Sequence, residues 1–570
     1  MGFGIRALTR PVRAVCLSVA TAAALSACVS AETSAPVDAP DATSGATSGE
    51  NAAISRLTLS ATTTDFPNDG FQYQNAATTV RAGLKGISHR YIDRVEVQEL
   101  ALDGIRGLAT IDPLLALDQQ DGIIRLRLND LPIASLPRPV GNDPAAWADL
   151  TTDVVRIARD RSEDVHDADN ERIYEALFDG MLAGLDIFSR YSGAEEARAN
   201  RARRDGFGGI GIRFSKADGA VLITHVQDDG PAHAVGLKPG DMILTVNGED
   251  ITKLSLRKVA KHLRGPVGSQ LTLSITRLDS DIKHPDRHIS FSLYRAHVVP
   301  DTVRASVEDD ILNVRVSGFN KKTSPSMHDI LRNHDAGFKS GRLKGVVMDL
   351  RDNPGGLLSQ SVNVADLFLD QGRIIATRGR HPDSFHDYRA GGVDLIEGKP
   401  LVILVDGDSA SAAEIVASAL QDLGRAVVVG SASYGKGTVQ TVIRLPNDGE
   451  MTLTWSRLVS PHGYALHGLG VMPAVCATNT KDTSTDAILS ADHIDGQREA
   501  LAAWRAAGLI FDGRRPRLRH ACPAKAFKPA KNGNKSGDLL MQLAGRVIND
   551  PALYRRAILL SEPVSTASRQ

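Results

Sequence analysis

A chain of 570 residues, 42% of them apolar and 23% charged, is long enough for three or four domains and has an ordinary globular composition. With 66 lysines and arginines against 67 aspartates and glutamates the net charge is −1, so bulk charge points to neither nucleic acid nor a polybasic membrane contact. No internal stretch reaches the roughly 20 consecutive apolar residues of a membrane-spanning helix.

In chain order, Arg6, Arg10 and Arg13 precede an apolar run over 14–27, which predicts a signal peptide at 1–27. The run ends Leu25-Ser26-Ala27-Cys28, which resembles a bacterial lipoprotein box; that resemblance implies a lipid on Cys28 as the first mature residue. Residues 28–65, rich in Ala, Ser, Thr, Asp and Pro, read as a flexible tether. From 66 to 200 the chain reads as mainly helical. Two stretches there look alike, 91–113 and 173–186; both place apolar residues at helical spacing and then break at Leu/Ile-Asp. They fit either a degenerate repeat or two similar amphipathic helices.

A β-rich unit follows at 203–298. Its strands are expected at Ala220–Val226, at Met242–Val246 before the Asn247-Gly248 turn, and at Gln270–Thr276, with a helix over Leu254–Leu263. Residues 299–475 alternate strands with helices, an α/β layer pattern. Buried strands are predicted at Gly345–Leu350, Leu401–Val405 and Ala426–Val429, and helices near 325–333, 358–369 and 411–423. The extension 476–570 is less patterned, with a helix near 537–548. Of four cysteines, Cys16 and Cys28 belong to the signal segment. Cys476 and Cys522 remain, and in an oxidising compartment they would form one disulfide, worth about 4 kcal/mol in the chain-entropy picture.

Three segments carry chemistry. In Asp406-Gly-Asp-Ser409-Ala-Ser411-Ala412-Ala-Glu414 an apolar strand ends, a tight turn follows and a helix begins. A serine there sits above the free N–H groups of a helix start, with the Ala412 N–H beside it to receive an oxyanion. Alone, the pattern equally describes a helix cap. Gly430-Ser-Ala-Ser-Tyr-Gly435-Lys436-Gly437 places a lysine between glycines after a buried strand. A poorly solvated lysine is a general base, and Gln440 four residues later can orient its amine. A phosphate loop is excluded because Gly437, not Ser or Thr, follows the lysine. In Asp349-Leu-Arg351-Asp352-Asn-Pro354-Gly355-Gly356 a strand runs into a turn whose amides can form an anion nest.

Together these segments resemble the carboxyl-terminal processing peptidases, or tail-specific proteases, over about 80–475. The resemblance implies a serine endopeptidase with a crotonase-like α/β core and a PDZ-like β domain, a multidomain α/β and β chain with an N-terminal helical region and a C-terminal extension. It implies Ser411 as nucleophile, in preference to Ser409, and Lys436, 25 residues on, as general base, with Gln440 beside it. The oxyanion donors map to the backbone of Ala412 and the glycine pair, Gly356 ahead of Gly355. Gly208, Gly209, Ile210, Gly211 and Ile212 match the loop and strand that hold a substrate's terminal carboxylate while its tail adds a strand. Leu185-Asp186-Ile187-Phe-Ser189-Arg-Tyr191 resembles the family's Leu-Asp-Pro-x-Ser-x-Tyr segment.

Partners implied are proteins or peptides with apolar C-terminal tails, an activating adaptor protein and a second copy of the chain. No nucleic acid, cofactor or metal is implied, and membrane contact runs through the lipid anchor only, at a periplasm-facing bacterial envelope. His462, His467, His284 and His288 read as surface-loop residues and not ligands. Departures from the family pattern at Ala413, Asp352, Ile187 and 455–463 leave the catalytic groups in place but unsettle the specificity pocket. The rival readings are a catalytically inactive PDZ scaffold and a crotonase-like acyl enzyme.

Overall fold

The computed structural model describes residues 70–217, 220–278, 286–480, 482–509, 513–527 and 538–560. The expected signal segment, the whole of the expected tether with Cys28, and His284 lie outside them. The described residues bury three apolar cores: one centred on the N-terminal region, one within the β-rich unit, and one in the α/β unit that also takes in residues of the extension such as Trp504 and Leu543. No helix among them is long and apolar enough to cross a membrane.

The N-terminal region is built on helices Tyr73–Arg90, Val97–Gly107, Pro144–Arg161 and Asn170–Ala183. The two look-alike stretches are helices that pack on each other. A Cβ on Gly107 would lie 2.0 Å from Ala176 O, and one on Gly180 2.3 Å from Asp103 O, so the glycines let the two backbones touch. The region is less purely helical than predicted. Leu115–Gln120, Ile123–Leu128 and Leu131–Pro137 form an antiparallel meander. Its two-residue turns carry positive φ throughout: 51° and 75° at Asp121 and Gly122, 50° and 63° at Asn129 and Asp130. That is the geometry matching the twist of paired strands.

In the second unit the strand order is Asp286–Tyr294, Gln270–Leu278, Met242–Val246, Ala220–Val226, Ile212–Ala217. Ile212–Ala217, which begins at the expected tail-binding segment, is therefore an edge strand that pairs on one side only among the described residues, as strand addition requires. Phe207–Gly209 pairs with Ala296–Val298 and draws the unit's ends together.

The third unit has a sheet in the order Val303–Glu308, Ile311–Val316, Gly345–Asp349, Leu401–Val405, Val427–Gly430, Val475–Cys476, parallel beyond its first pair. Every residue of Gly345–Asp349 and Leu401–Val405 is buried, as expected of central parallel strands covered on both faces. Helices Thr323–Asn333, Leu358–Asp366 and Ala412–Asp422 pack on it close to their predicted positions. A second sheet holds His386–Arg389, Arg373–Gly379, Glu450–Val459 and Thr438–Arg444; Arg190–Ser192 of the N-terminal region pairs onto Glu450–Val459. The extension contributes helices Ala491–Arg505, Leu539–Asn549 and Pro551–Leu559. Cys476 and Cys522 are joined by a disulfide, with Cα atoms 6.0 Å apart.

Candidate active site

Three turns at the carboxyl ends of neighbouring strands converge. The first follows Leu401–Val405. Ser409 is fully buried and its hydroxyl is spent on structure, donating to Leu350 O at 2.9 Å and Asp406 Oδ1 at 3.0 Å. Ser411 instead caps helix Ala412–Asp422 with φ 55°, a conformation a non-glycine residue adopts at a cost of about 1–3 kcal/mol. Neighbouring bonds hold it there: Ala410 N–H donates to Asn353 O at 2.9 Å, and Ser411 N–H to Glu414 Oε2 at 2.8 Å. Ser411 is 6% exposed, at the mouth of the turn.

The second turn, after Gly345–Asp349, lies against the first. A Cβ on Gly355 would stand 2.9 Å from both Ser411 Cβ and Ala412 N, so only glycine fits beside the serine. Gly355 N–H is taken by Asn353 Oδ1 at 2.9 Å. The Gly356 N–H and the Ala412 N–H, first in its helix, donate to no protein acceptor among the described residues. Buried N–H groups are rarely left unused; Ala412 is buried and Gly356 half-buried, on the two turns that meet at Ser411 and Gly355.

The third turn carries Lys436, 2% exposed. Its Nζ lies 5.0 Å from the ring centroid of Phe188, and His467 stands edge-on to the same ring at 6.1 Å. Gly437 is tight against the next loop, where a Cβ would sit 1.9 Å from His467 N. Gln440 Nε2 donates to Thr438 Oγ1 at 2.8 Å and Thr454 Oγ1 at 3.3 Å, which fixes the amide and leaves Oε1 as its remaining acceptor.

Glu414 joins the first turn to the third. Its carboxylate is fully buried and accepts from Ser411 N–H, from Lys436 N–H at 2.9 Å, from Gly435 N–H at 2.7 Å and from the Ser433 hydroxyl. Burial pushes its carboxyl pKa up against the opposing pull of those donors. Phe188 is supplied by the 186–189 turn. There Asp186 accepts from Phe188 N–H, Ser189 N–H and Thr454 Oγ1, and Thr454 N–H donates to Ser189 Oγ at 3.1 Å.

Sequence reasoning gave Glu414 no role, although it belongs to the motif that marked Ser411. It also took His462 and His467 for surface-loop residues. His467 is instead half-buried against Phe188, with burial lowering its pKa, and His462 Nδ1 lies 3.2 Å from the buried Asp422. No cluster of three or more metal-ligating side chains occurs among the described residues.

The model of peptidase family S41 matches residues 310–476 and the PDZ model matches 199–276. A carboxy-terminal-processing protease of Bartonella bacilliformis is 36% identical over 318 residues, 56% of this chain and 72% of that protein. This chain belongs to the carboxy-terminal-processing proteases of peptidase family S41. It is a serine-type peptidase with a PDZ domain. Carboxy-terminal processing protease CtpA of Bacillus subtilis is 28% identical over 350 residues, 59% of this chain and 71% of that protein. Among solved structures, the photosystem II D1 C-terminal processing protease is 24% identical and covers 66% of this chain and 92% of its own, at a TM-score of 0.33. The extension beyond residue 476 lies outside the matched residues.

That extension nonetheless touches all three turns of the peptidase. Asp538 binds Arg351 of the glycine turn through Oδ1 and Oδ2, at 2.8 and 2.9 Å. Phe527 N–H donates to Asp406 Oδ2 at 2.9 Å, and Gly407 N–H to Lys525 O at 2.9 Å, at the start of the turn that carries Ser411. Arg519 donates to Ser433 O at 2.8 Å and to Leu469 O, holding the lysine loop from outside.

Proposed function

We propose that this peptidase works as an endopeptidase through a Ser411–Lys436 dyad, on exported proteins with apolar C-terminal tails, tethered to a bacterial membrane by a lipid on Cys28. The observation that carries the dyad is the shared carboxylate: Glu414 holds the backbone of both Ser411 and Lys436, so nucleophile and base are set by one buried group. The Lys436 amine, as its neutral form, takes the proton from Ser411 Oγ while Oγ bonds to the scissile carbonyl carbon. The carbonyl oxygen becomes the oxyanion and is received by the Ala412 and Gly356 amides. Collapse breaks the C–N bond, and the leaving amine collects the proton from Lys436. Lys436 then deprotonates a water that hydrolyses the ester on Ser411. Gln440, through Oε1, orients the amine. A cavity of about 650 Å3 has a mixed lining, with Leu357, Leu358, Val439 and Trp455 beside polar residues such as Lys321, Asn363, Thr377 and His386.

The substrate tail is recruited on the open edge of Ile212–Ala217, its carboxylate at the 208–211 loop. The export signal and the cysteine of the lipoprotein-like box, Arg6 to Cys28, support the envelope location; palmitate incorporation abolished by Cys28→Ala checks it. Labelling with a serine-reactive fluorophosphonate, mapped by mass spectrometry and paired with cleavage of a quenched peptide, tests the dyad. The expected result is an adduct on Ser411 and loss of cleavage in both Ser411→Ala and Lys436→Ala. An adduct on another residue, or cleavage by Ser411→Ala at the wild-type rate, overturns it, the latter with the chemistry placed elsewhere. An inactive scaffold would give neither label nor cleavage.

A further inference from the structure

A cavity of about 590 Å3 opens where the PDZ domain, the helix Ala194–Asp205 and the peptidase core meet. Pro354 to Gly356 of the glycine turn line it, and so does Arg213 of the edge strand Ile212–Ala217. Its lining is strongly cationic: Arg203, Arg204, Arg213, Arg304 and Arg315 face it, against the single carboxylate of Asp301.

The charges are unevenly neutralised. Arg204 is paired with Glu450, and Arg315 with Asp349. Asp301 is itself occupied, with Lys322 at 3.0 Å and His225 at 3.4 Å. Arg203, Arg213 and Arg304 make no ion pair among the described residues. Arg213 donates to the Asp301 backbone carbonyl at 2.7 Å, and Arg203 to Asn200 Oδ1 at 3.2 Å. In a chain of net charge −1 such a concentration of uncompensated guanidinium is local. Set in a concave wall of lower dielectric, it focuses a positive potential on whatever enters. Guanidinium forks match carboxylates geometrically as well as by charge.

We infer that this cleft binds an acidic segment of the substrate: Asp or Glu side chains lying between the apolar tail held on the edge strand and the scissile bond at Gly356. The inference rests on the peptide-substrate reading above and adds a substrate class to it. Apolar tail and acidic segment are then read by separate surfaces, one by strand addition and one by charge. The contribution of the cleft falls on binding, because Arg203 and Arg304 are exposed and stand outside the dyad and the oxyanion donors.

The test separates the charge from the chemistry. Two fluorescent peptides share one apolar free C-terminus and differ only in carrying three Glu or three Gln upstream of it. They are titrated by anisotropy against the full chain bearing Ser411→Ala. The Glu peptide is expected to bind about tenfold tighter at low ionic strength, with the difference closing in high salt. Arg203→Gln with Arg304→Gln is expected to erase the difference and leave the affinity of the Gln peptide unchanged. Equal affinities in the parent protein overturn the inference, as does a double variant that keeps the preference. Cleavage of the Gln peptide by the wild-type chain reports on the protease reading separately, so that reading can fail while the charge preference stands, or the reverse.

Discussion

Ser411 and Lys436 were legible because each sits in a short motif whose glycines and helix start are local properties of the chain. Glu414 was not, because what distinguishes it from any helical glutamate is its partners, Ser433, Gly435 and Lys436, 19 to 22 positions away. The residues alone left the choice between Ser409 and Ser411 to family spacing; in the structure the hydroxyl of Ser409 is engaged with Leu350 O. A carboxylate with four donors around it cannot be replaced by an amide without placing an NH2 against an N–H. In Glu414→Gln one oxygen remains to receive two donors, and the facing donors lose their acceptor. Leaving a buried donor unpaired costs about 1–3 kcal/mol, so if the strain falls on the geometry of the dyad, kcat drops roughly 10- to 100-fold with KM nearly unchanged. Steady-state kinetics together with the rate of fluorophosphonate labelling measure this; labelling at the wild-type rate would remove Glu414 from the positioning of Ser411.

Among elements, the central strands and the helices at 323–333, 358–366 and 412–422 follow from continuous apolar runs and helical periodicity. The meander at 115–137 was missed because its strands are short and expose one face, although its Asp-Gly and Asn-Asp turns were present in the sequence. The extension was opaque for a different reason. Its anchoring residues, Arg519, Phe527 and Asp538, are scattered singly along and beside a Lys- and Pro-rich stretch, and only folding brings them to the three turns of the candidate site. Asp538 illustrates the coupling. It caps helix Leu539–Asn549, accepting from Met541 N–H at 3.3 Å, and shares the 2% exposed Arg351 with Asp349. Burial alone would lower the pKa of Arg351, but hydrogen bonds and charge from Asp349 and Asp538 overcome it and keep the guanidinium firmly ionised. Asp538→Ala removes one of two carboxylates from a buried cation and a helix cap at once. A loss of about 3–5 kcal/mol is expected, the range for breaking a buried pair, read by denaturant unfolding. A loss below about 1 kcal/mol, the level of an exposed pair, would mean that the extension does not brace the glycine turn.

At the scale of the whole molecule the three cores are not equally separate. The PDZ core is made entirely of residues between 210 and 293. The N-terminal core is not self-contained: Leu445, Met451 and Leu453, from the peptidase's second sheet, are buried in it, and Arg190–Ser192 extends that sheet in return. The predicted boundary near residue 200 therefore divides the chain but not the packing. Two units that share a core and a sheet unfold together, whereas a unit with its own core can open alone. Calorimetry of the full chain is expected to resolve a PDZ transition from a joint transition of the helical region and the peptidase. Met451, fully buried between them, discriminates. Met451→Ala costs about 2–5 kcal/mol, the usual price of emptying a core site, and that loss is expected in the joint transition with the PDZ transition unmoved. The same mutation should reach the active site, because Met451 lies on the strand that also carries Thr454, the residue that binds Gln440 and the Asp186 turn under Phe188. If instead the helical region melts separately from the peptidase, the shared strand does not couple them, and Phe188 covers Lys436 from a domain free to leave.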